Sequence, residues 1–117
     1  MTEGGVALVA LPQADGLTKP RPVILLRAMP PFGDWLVCGV STQLHQRIVG
    51  FDDLIEPSDP DFAGSGLKAS SLIRLGFLAV LPTHRILGLL GAIAVDRHAG
   101  LLRTLSGFLE PKPAPDR

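Results

Sequence analysis

The sequence has little cysteine, no excess of either charge and no long hydrophobic run, and each shortage excludes a class of protein. Its one cysteine, Cys38, cannot form an intramolecular disulfide, and we expect a buried, inert thiol. Eleven basic residues balance eleven acidic ones, so the chain is not a strongly basic nucleic-acid coat protein. The longest apolar run, residues 86–95, is about half a membrane span. We therefore expect a cytoplasmic protein without membrane contact.

Metal-binding and cofactor-binding patterns are also missing. His45, His84 and His98 are isolated, so none of them has the spacing of paired zinc ligands. The acidic residues between 52 and 61 fail the calcium-loop pattern, because Ala63 stands where an oxygen ligand is needed. The chain has no Gly-x-Ser-x-Gly and no glycine-rich phosphate loop. We predict neither metal nor cofactor, and we interpret the acidic stretch as a solvated, proline-stiffened loop.

The composition favours a small β-rich domain. A chain of 117 residues suits one domain, and 13 glycines with 11 prolines indicate many turns. We assign residues 1–110 to that domain and residues 111–117 to a disordered, proline-rich tail. The strongest strand signals lie at residues 4–11, 23–26, 35–40, 72–81 and 86–94. A carboxy-terminal helix is predicted from Asp96 as its N-cap and from apolar residues at helical spacing, namely Leu101, Leu102, Leu105, Phe108 and Leu109.

The second and third strands carry the first candidate site. Two apolar runs flank a Pro-Pro-Phe-Gly-Asp turn, which predicts a hairpin. Arg21 lies between two prolines just before the first run, and Ser41, Thr42 and Gln43 close the second. A hairpin would bring the stiffly held guanidinium near the hydroxyls and so create an anion site. The alternative is a surface arginine entering an edge strand whose prolines discourage aggregation.

A second candidate cation lies in the strand after residue 70. Strict alternation places Arg74 on the face opposite Ile73, Leu75 and Phe77. It is either the polar side of an ordinary strand or a functional cation. Residues 78–81 are predicted to continue as a buried strand.

Several motifs in a fixed order resemble the MazF/PemK family of toxin endoribonucleases. They are Gly-x-x-x-Leu-Val-x-Leu-Pro at the start, Lys-x-Arg-Pro before the second strand, Ser-Thr-Gln after the third, and the segments 57–60, 66–68 and 71–74. The resemblance covers about residues 4–109. It implies a mainly β fold, a small SH3-like β-barrel of the MazF/PemK/CcdB type with a C-terminal α-helix.

The resemblance also implies a site and an activity. Its catalytic residues would be Arg21, Arg74 and Ser41, which stands where the family usually has threonine. Its substrate-binding residues would be Lys19, Thr42, Gln43 and His45, although a lone loop histidine such as His45 is more often a bystander. The implied activity is metal-independent cleavage of single-stranded RNA by 2′-OH attack. The implied partners are a second copy of the chain and a cognate acidic antitoxin, with DNA contact only through the antitoxin complex.

Two positions depart from the family pattern. Gly76 stands where some PemK-type members have aspartate, and Ala79 stands where they have a further arginine. Trp35 is the one aromatic residue outside phenylalanine that could stack on a base. These departures leave an alternative open, which is a catalytically weak or inactive toxin fold. Such a module would bind an antitoxin, nucleic acid or a target such as gyrase.

Overall fold

The computed structural model describes residues 1–12 and 14–113. Six strands, β1 to β6, span Gly5–Pro12, Thr18–Met29, Asp34–Ser41, Asp53–Ile55, Ser71–Leu81 and Ile86–Ala92. Two helices, α1 and α2, span Phe62–Ser65 and Val95–Leu109, and two short 3-10 turns span Leu44–Gln46 and Thr83–Arg85. Gln13 and residues 114–117, which make up most of the predicted tail, lie outside the described residues. No helix in the described ranges is both long and apolar enough to cross a membrane.

The strands form one antiparallel sheet in the order β4-β5-β3-β2-β1-β6. Helix α1 follows the edge strand β4 and contacts β6, the strand at the opposite edge, so the sheet is curled. A Cβ atom at Gly91 of β6 would collide with the backbone of Gly64 and Ser65, so glycine is required for this close approach. The predicted mainly β fold with a carboxy-terminal helix is confirmed.

Apolar residues on the two faces of the sheet form two core clusters. The first contains Ile24, Leu26 and Ile73, and it is covered by Leu101 and Leu105 of α2. The second contains Val9, Val23, Leu25, Trp35 and Val37. Successive residues of β2 alternate between the clusters, because neighbouring side chains in a strand point to opposite faces. A side chain's place in the alternation therefore tells which face it occupies.

Cys38 lies in the first core cluster and is fully buried. Burial raises the pKa of its thiol to about 12, because the thiolate would lose its hydration. The predicted burial of this thiol is confirmed.

The acidic stretch is organised around a cation that was not among the predicted functional residues. Arg97 of α2 forms ion pairs with Asp53, Asp59 and Asp61 at 2.7, 3.2 and 2.8 Å. Its Nη1 also donates to the Leu54 carbonyl oxygen at 3.2 Å. The prediction of a solvated loop was therefore wrong, since these carboxylates tie the segment to α2.

The predicted start of α2 was also wrong. The helix begins at Val95, and Asp96 lies in its first turn rather than at its N-cap. The Ala94 amide instead donates to Asp61 Oδ2 at 2.9 Å, so a carboxylate from a distant segment satisfies the free N–H at the helix start.

Candidate functional site

The hairpin of β2 and β3 brings Arg21 and Ser41 to neighbouring positions. Val23 pairs with Gly39 at the end of the β2/β3 ladder, and continuing that register for two residues would set Arg21 across from Ser41. On its other side Arg21 pairs with Val9 of β1, whose side chain lies in the second core cluster. Because paired residues share a face, Arg21 lies on the face of that cluster. The predicted pairing of the two runs is confirmed.

Arg74 enters the same face from β5. It pairs with Gly39, which pairs with Val23 on the far side, so the three residues share one face. The strands that carry Arg21 and Arg74 flank β3 and therefore lie roughly 10 Å apart, twice the interstrand spacing. Two arginine side chains can reach across this width to one phosphate-sized ligand. The fold thus groups the three predicted catalytic residues Arg21, Ser41 and Arg74.

One nitrogen of the Arg74 guanidinium donates a hydrogen bond, and another has no partner among the described residues. Its Nη1 donates to Gln46 Oε1 at 3.0 Å. Its Nε is buried and has no hydrogen-bond partner among the described residues. A buried donor without an acceptor is costly, so this N–H is suited to an anionic ligand. Gln46 was absent from the sequence-based site, because nothing in the sequence indicates that its side chain meets a residue 28 positions away.

The Ser41 hydroxyl is also oriented. Its Oγ accepts a hydrogen bond from the Gln43 amide at 3.0 Å. A hydroxyl has one donor and two acceptor positions, so this contact leaves its hydrogen for donation to a ligand. Gln43 thus contributes to the site through its backbone.

The other predicted substrate-binding residues lie at the same end of the sheet. Lys19 is exposed on β2, two residues before Arg21 and therefore on the same face. Thr42 is exposed, and its carbonyl oxygen accepts from the Leu44 amide at 3.0 Å. His45 lies in the 3-10 turn Leu44–Gln46, one residue before the side chain that holds Arg74.

The strand β5 departs from regular alternation, and this corrects the prediction for Phe77. Cys38 pairs with Leu78, but Gly39 pairs with Arg74, so extra residues of β5 are inserted between these two pairs. The Phe77 ring consequently lies over Gly39, on the face of Arg74 instead of the face of Ile73 and Leu75.

Two further sequence expectations are revised. Leu78 and Val80 are 41% and 53% exposed, so this part of β5 is not a buried strand. Trp35 is only 7% exposed within the second core cluster, which excludes it as a stacking surface in this fold. Ala79 pairs with Val37 and packs against the same cluster, while Gly76 is exposed in the irregular part of β5.

A cavity of about 580 Å³ lies elsewhere, against the Arg97 ion pairs. The Arg97 guanidinium holds the pKa of the Asp61 carboxyl below its usual value, chiefly through their hydrogen bond. The carboxylates in turn raise the pKa of Arg97, with the bond to Asp61 as the largest cause. Each partner is satisfied by the others, which marks a structural cluster. The described residues contain no group of three or more histidine, cysteine or acidic side chains able to hold a metal ion.

The comparisons with known proteins identify the fold. Among solved structures, the chain is similar to the Mycobacterium tuberculosis toxin MazF-mt6, with a TM-score of 0.65 and 17% sequence identity. The match covers 88% of this chain and 93% of that one. No protein-family model matches the sequence, and a search of curated proteins finds no match either. The likeness shows a MazF-like toxin fold.

Proposed function

We propose that this chain is a toxin of the MazF/PemK type and a metal-independent endoribonuclease that cuts single-stranded RNA. The observation that carries the proposal is the grouping of Arg21, Ser41 and Arg74 on one face, with a buried Arg74 Nε that has no described partner. Two guanidinium groups and a hydroxyl donor match the oxygens of a phosphodiester. The MazF-like fold supports the same assignment.

In the proposed reaction the ribose 2′-oxygen attacks the adjacent phosphorus as its proton is removed. The bond from phosphorus to the 5′-oxygen breaks, and that oxygen takes up a proton. The products are a 2′,3′-cyclic phosphate and a 5′-hydroxyl. Arg21 and Arg74 stabilise the added negative charge on the phosphate oxygens, and Ser41 donates its hydroxyl hydrogen to one of them. His45 precedes Gln46 in the 3-10 turn, and its imidazole is the group to which we assign proton transfer.

Two protein partners belong to the proposal. Leu87 and Leu89 of β6 are 59% and 55% exposed, an apolar edge that a second copy of the chain would cover. A cognate antitoxin would lie over the cationic face in place of RNA, and its acidic residues would pair with Lys19, Arg21 and Arg74. DNA would be contacted only through the antitoxin complex, and the protein would act in the cytoplasm.

The test is digestion of end-labelled RNA in the presence of EDTA. Wild type should cut and leave a 2′,3′-cyclic phosphate, whereas Arg21→Ala and Arg74→Ala should each lose most of the activity. Arg27→Ala is the matched control, because Arg27 lies further along β2 and its Nε faces Glu3 Oε1 at 3.7 Å. Equal cutting by all four proteins would point to a contaminating nuclease and refute the assignment.

The second candidate function is a binding module without catalysis. It is favoured by Gly76 and Ala79, which place no carboxylate and no third arginine beside Arg74. A folded wild type that binds RNA or an antitoxin peptide but never cuts would establish this alternative.

A further inference from the structure

We propose that Phe77, resting on Gly39, forms a stacking subsite for an unpaired nucleobase of the RNA next to Arg74. This inference deepens the proposed function and rests on it for the identity of the ligand. It assigns a role to an aromatic ring that strand alternation had placed on the other face.

Glycine at position 39 makes room for the ring. A Cβ atom built on Gly39 would lie 2.8 Å from Phe77 Cδ1, closer than real Cβ atoms come to a neighbour, and 3.2 Å from its Cγ. The ring therefore occupies the space that a side chain at residue 39 would fill. It lies against the middle of β3, yet Phe77 remains 51% exposed. Phe77 is therefore a large apolar side chain that packs on the backbone and keeps about half of its surface open to solvent, as a stacking surface requires.

The position of the ring relates it to the phosphate site. Gly39 pairs directly with Arg74, so the ring lies beside the residue whose buried Nε has no described partner. Arg21 and Ser41 lie on the same face, two residues further along their strands. Single-stranded RNA is bound by stacking its bases on aromatic rings while cations hold the backbone. The base and phosphate of one nucleotide are joined through a single sugar, so one nucleotide can contact both Phe77 and Arg74.

The other aromatic residues are all placed elsewhere. Trp35 and Phe62 pack against the two core clusters, and Phe51 contacts Phe108 with ring centroids 5.0 Å apart. Phe32 is 87% exposed, but it lies in the turn at the far end of the hairpin from Ser41. Phe77 is thus the aromatic side chain that the face of Arg21 and Arg74 presents.

The test compares binding of two labelled strands by fluorescence anisotropy. One is a random single-stranded RNA decamer with 2′-O-methyl riboses, which cannot be cleaved by 2′-OH attack. The other is the same backbone with abasic sugars. Phe77→Leu should weaken binding of the base-bearing decamer roughly 10- to 100-fold, and Phe77→Trp should retain it. Both variants should bind the abasic strand as wild type does. Phe32→Leu is the control and should change neither affinity.

Three results would overturn the subsite. These are wild-type affinity in Phe77→Leu, an equal loss of affinity for both strands, and no binding of the decamer by wild type. Light scattering of each variant at the same concentrations adds a fourth, since dissociation of a wild-type dimer by Phe77→Leu would make the ring an interface between copies. Cleavage of an unmodified decamer in EDTA is scored separately. Binding that depends on Phe77 without any cleavage would support stacking while refuting the nuclease.

Discussion

Replacing Arg97 with alanine should destabilise the protein by about 2–4 kcal/mol. The Arg97 side chain is 15% exposed and contacts three carboxylates, and the Asp61 side chain is 11% exposed. Removing one partner of a buried ion pair costs about 3–5 kcal/mol, because the other charges are left uncompensated. Asp53 and Asp59 are 39% and 33% exposed, so water screens part of that cost and lowers the expected value. The stability is lost because the acidic segment no longer contacts α2 through these ion pairs.

Urea unfolding at pH 7 and fixed protein concentration measures this loss as a lower midpoint with an unchanged slope. Arg103→Ala is the matched control on the same helix, because Arg103 is exposed, and it should shift the free energy of unfolding by less than about 0.5 kcal/mol. Equal small effects of Arg97→Ala and Arg103→Ala would show that the Arg97 cluster does not stabilise the fold.

The same cluster predicts an acid dependence. Arg97 lowers the pKa of Asp61 in the folded protein below the usual 3.8. The unfolded state therefore binds the proton first, and the stabilisation is fully present above that unfolded value. It is lost as the pH falls from there through the lower folded pKa. Wild type should lose more stability than Asp61→Asn over this acidic range, and parallel curves would contradict the assignment.

Three other predictions concern a thiol, a glycine and a positioning side chain. Cys38 should resist alkylation in the native protein at pH 8 and react once urea unfolds it; rapid native labelling would contradict its burial and raised pKa. Gly91→Ala should lower the free energy of unfolding in urea by about 1–3 kcal/mol, because the added Cβ would meet backbone atoms. The control position Gly88 has open space around it, and equal costs for Gly91→Ala and Gly88→Ala would contradict the close contact with α1. Gln46→Ala should reduce RNA cleavage roughly tenfold, because the Arg74 guanidinium loses its hydrogen-bond acceptor. Gln46→Glu should restore the cleavage, and full activity of Gln46→Ala would show that Gln46 does not position Arg74.

The hairpin and the fold class were predictable because their signals are local. The two apolar runs and the proline-rich turn between them specify β2 and β3, and the extended register then brings Arg21 to Ser41. Burial of Cys38 followed from its place in an apolar strand.

The contacts that were missed depend on tertiary structure. The three-carboxylate environment of Arg97 joins residues 36 to 44 positions apart, and no spacing rule in the sequence relates them. The face of Phe77 was mispredicted because strand alternation assumes a regular ladder, while β5 has an insertion opposite Gly39. That glycine was the available signal, since a strand glycine often marks a bulge or a close approach.

We assign Arg21, Ser41 and Arg74 to one phosphodiester site, and RNA cleavage in EDTA is the decisive assay for that assignment. On this assignment, wild type should cut a single-stranded RNA to a 2′,3′-cyclic phosphate, and Arg21→Ala and Arg74→Ala should not, while Arg27→Ala should. A folded wild type that leaves every tested RNA intact, or Arg21→Ala and Arg74→Ala proteins that cut as fast as wild type, would contradict it.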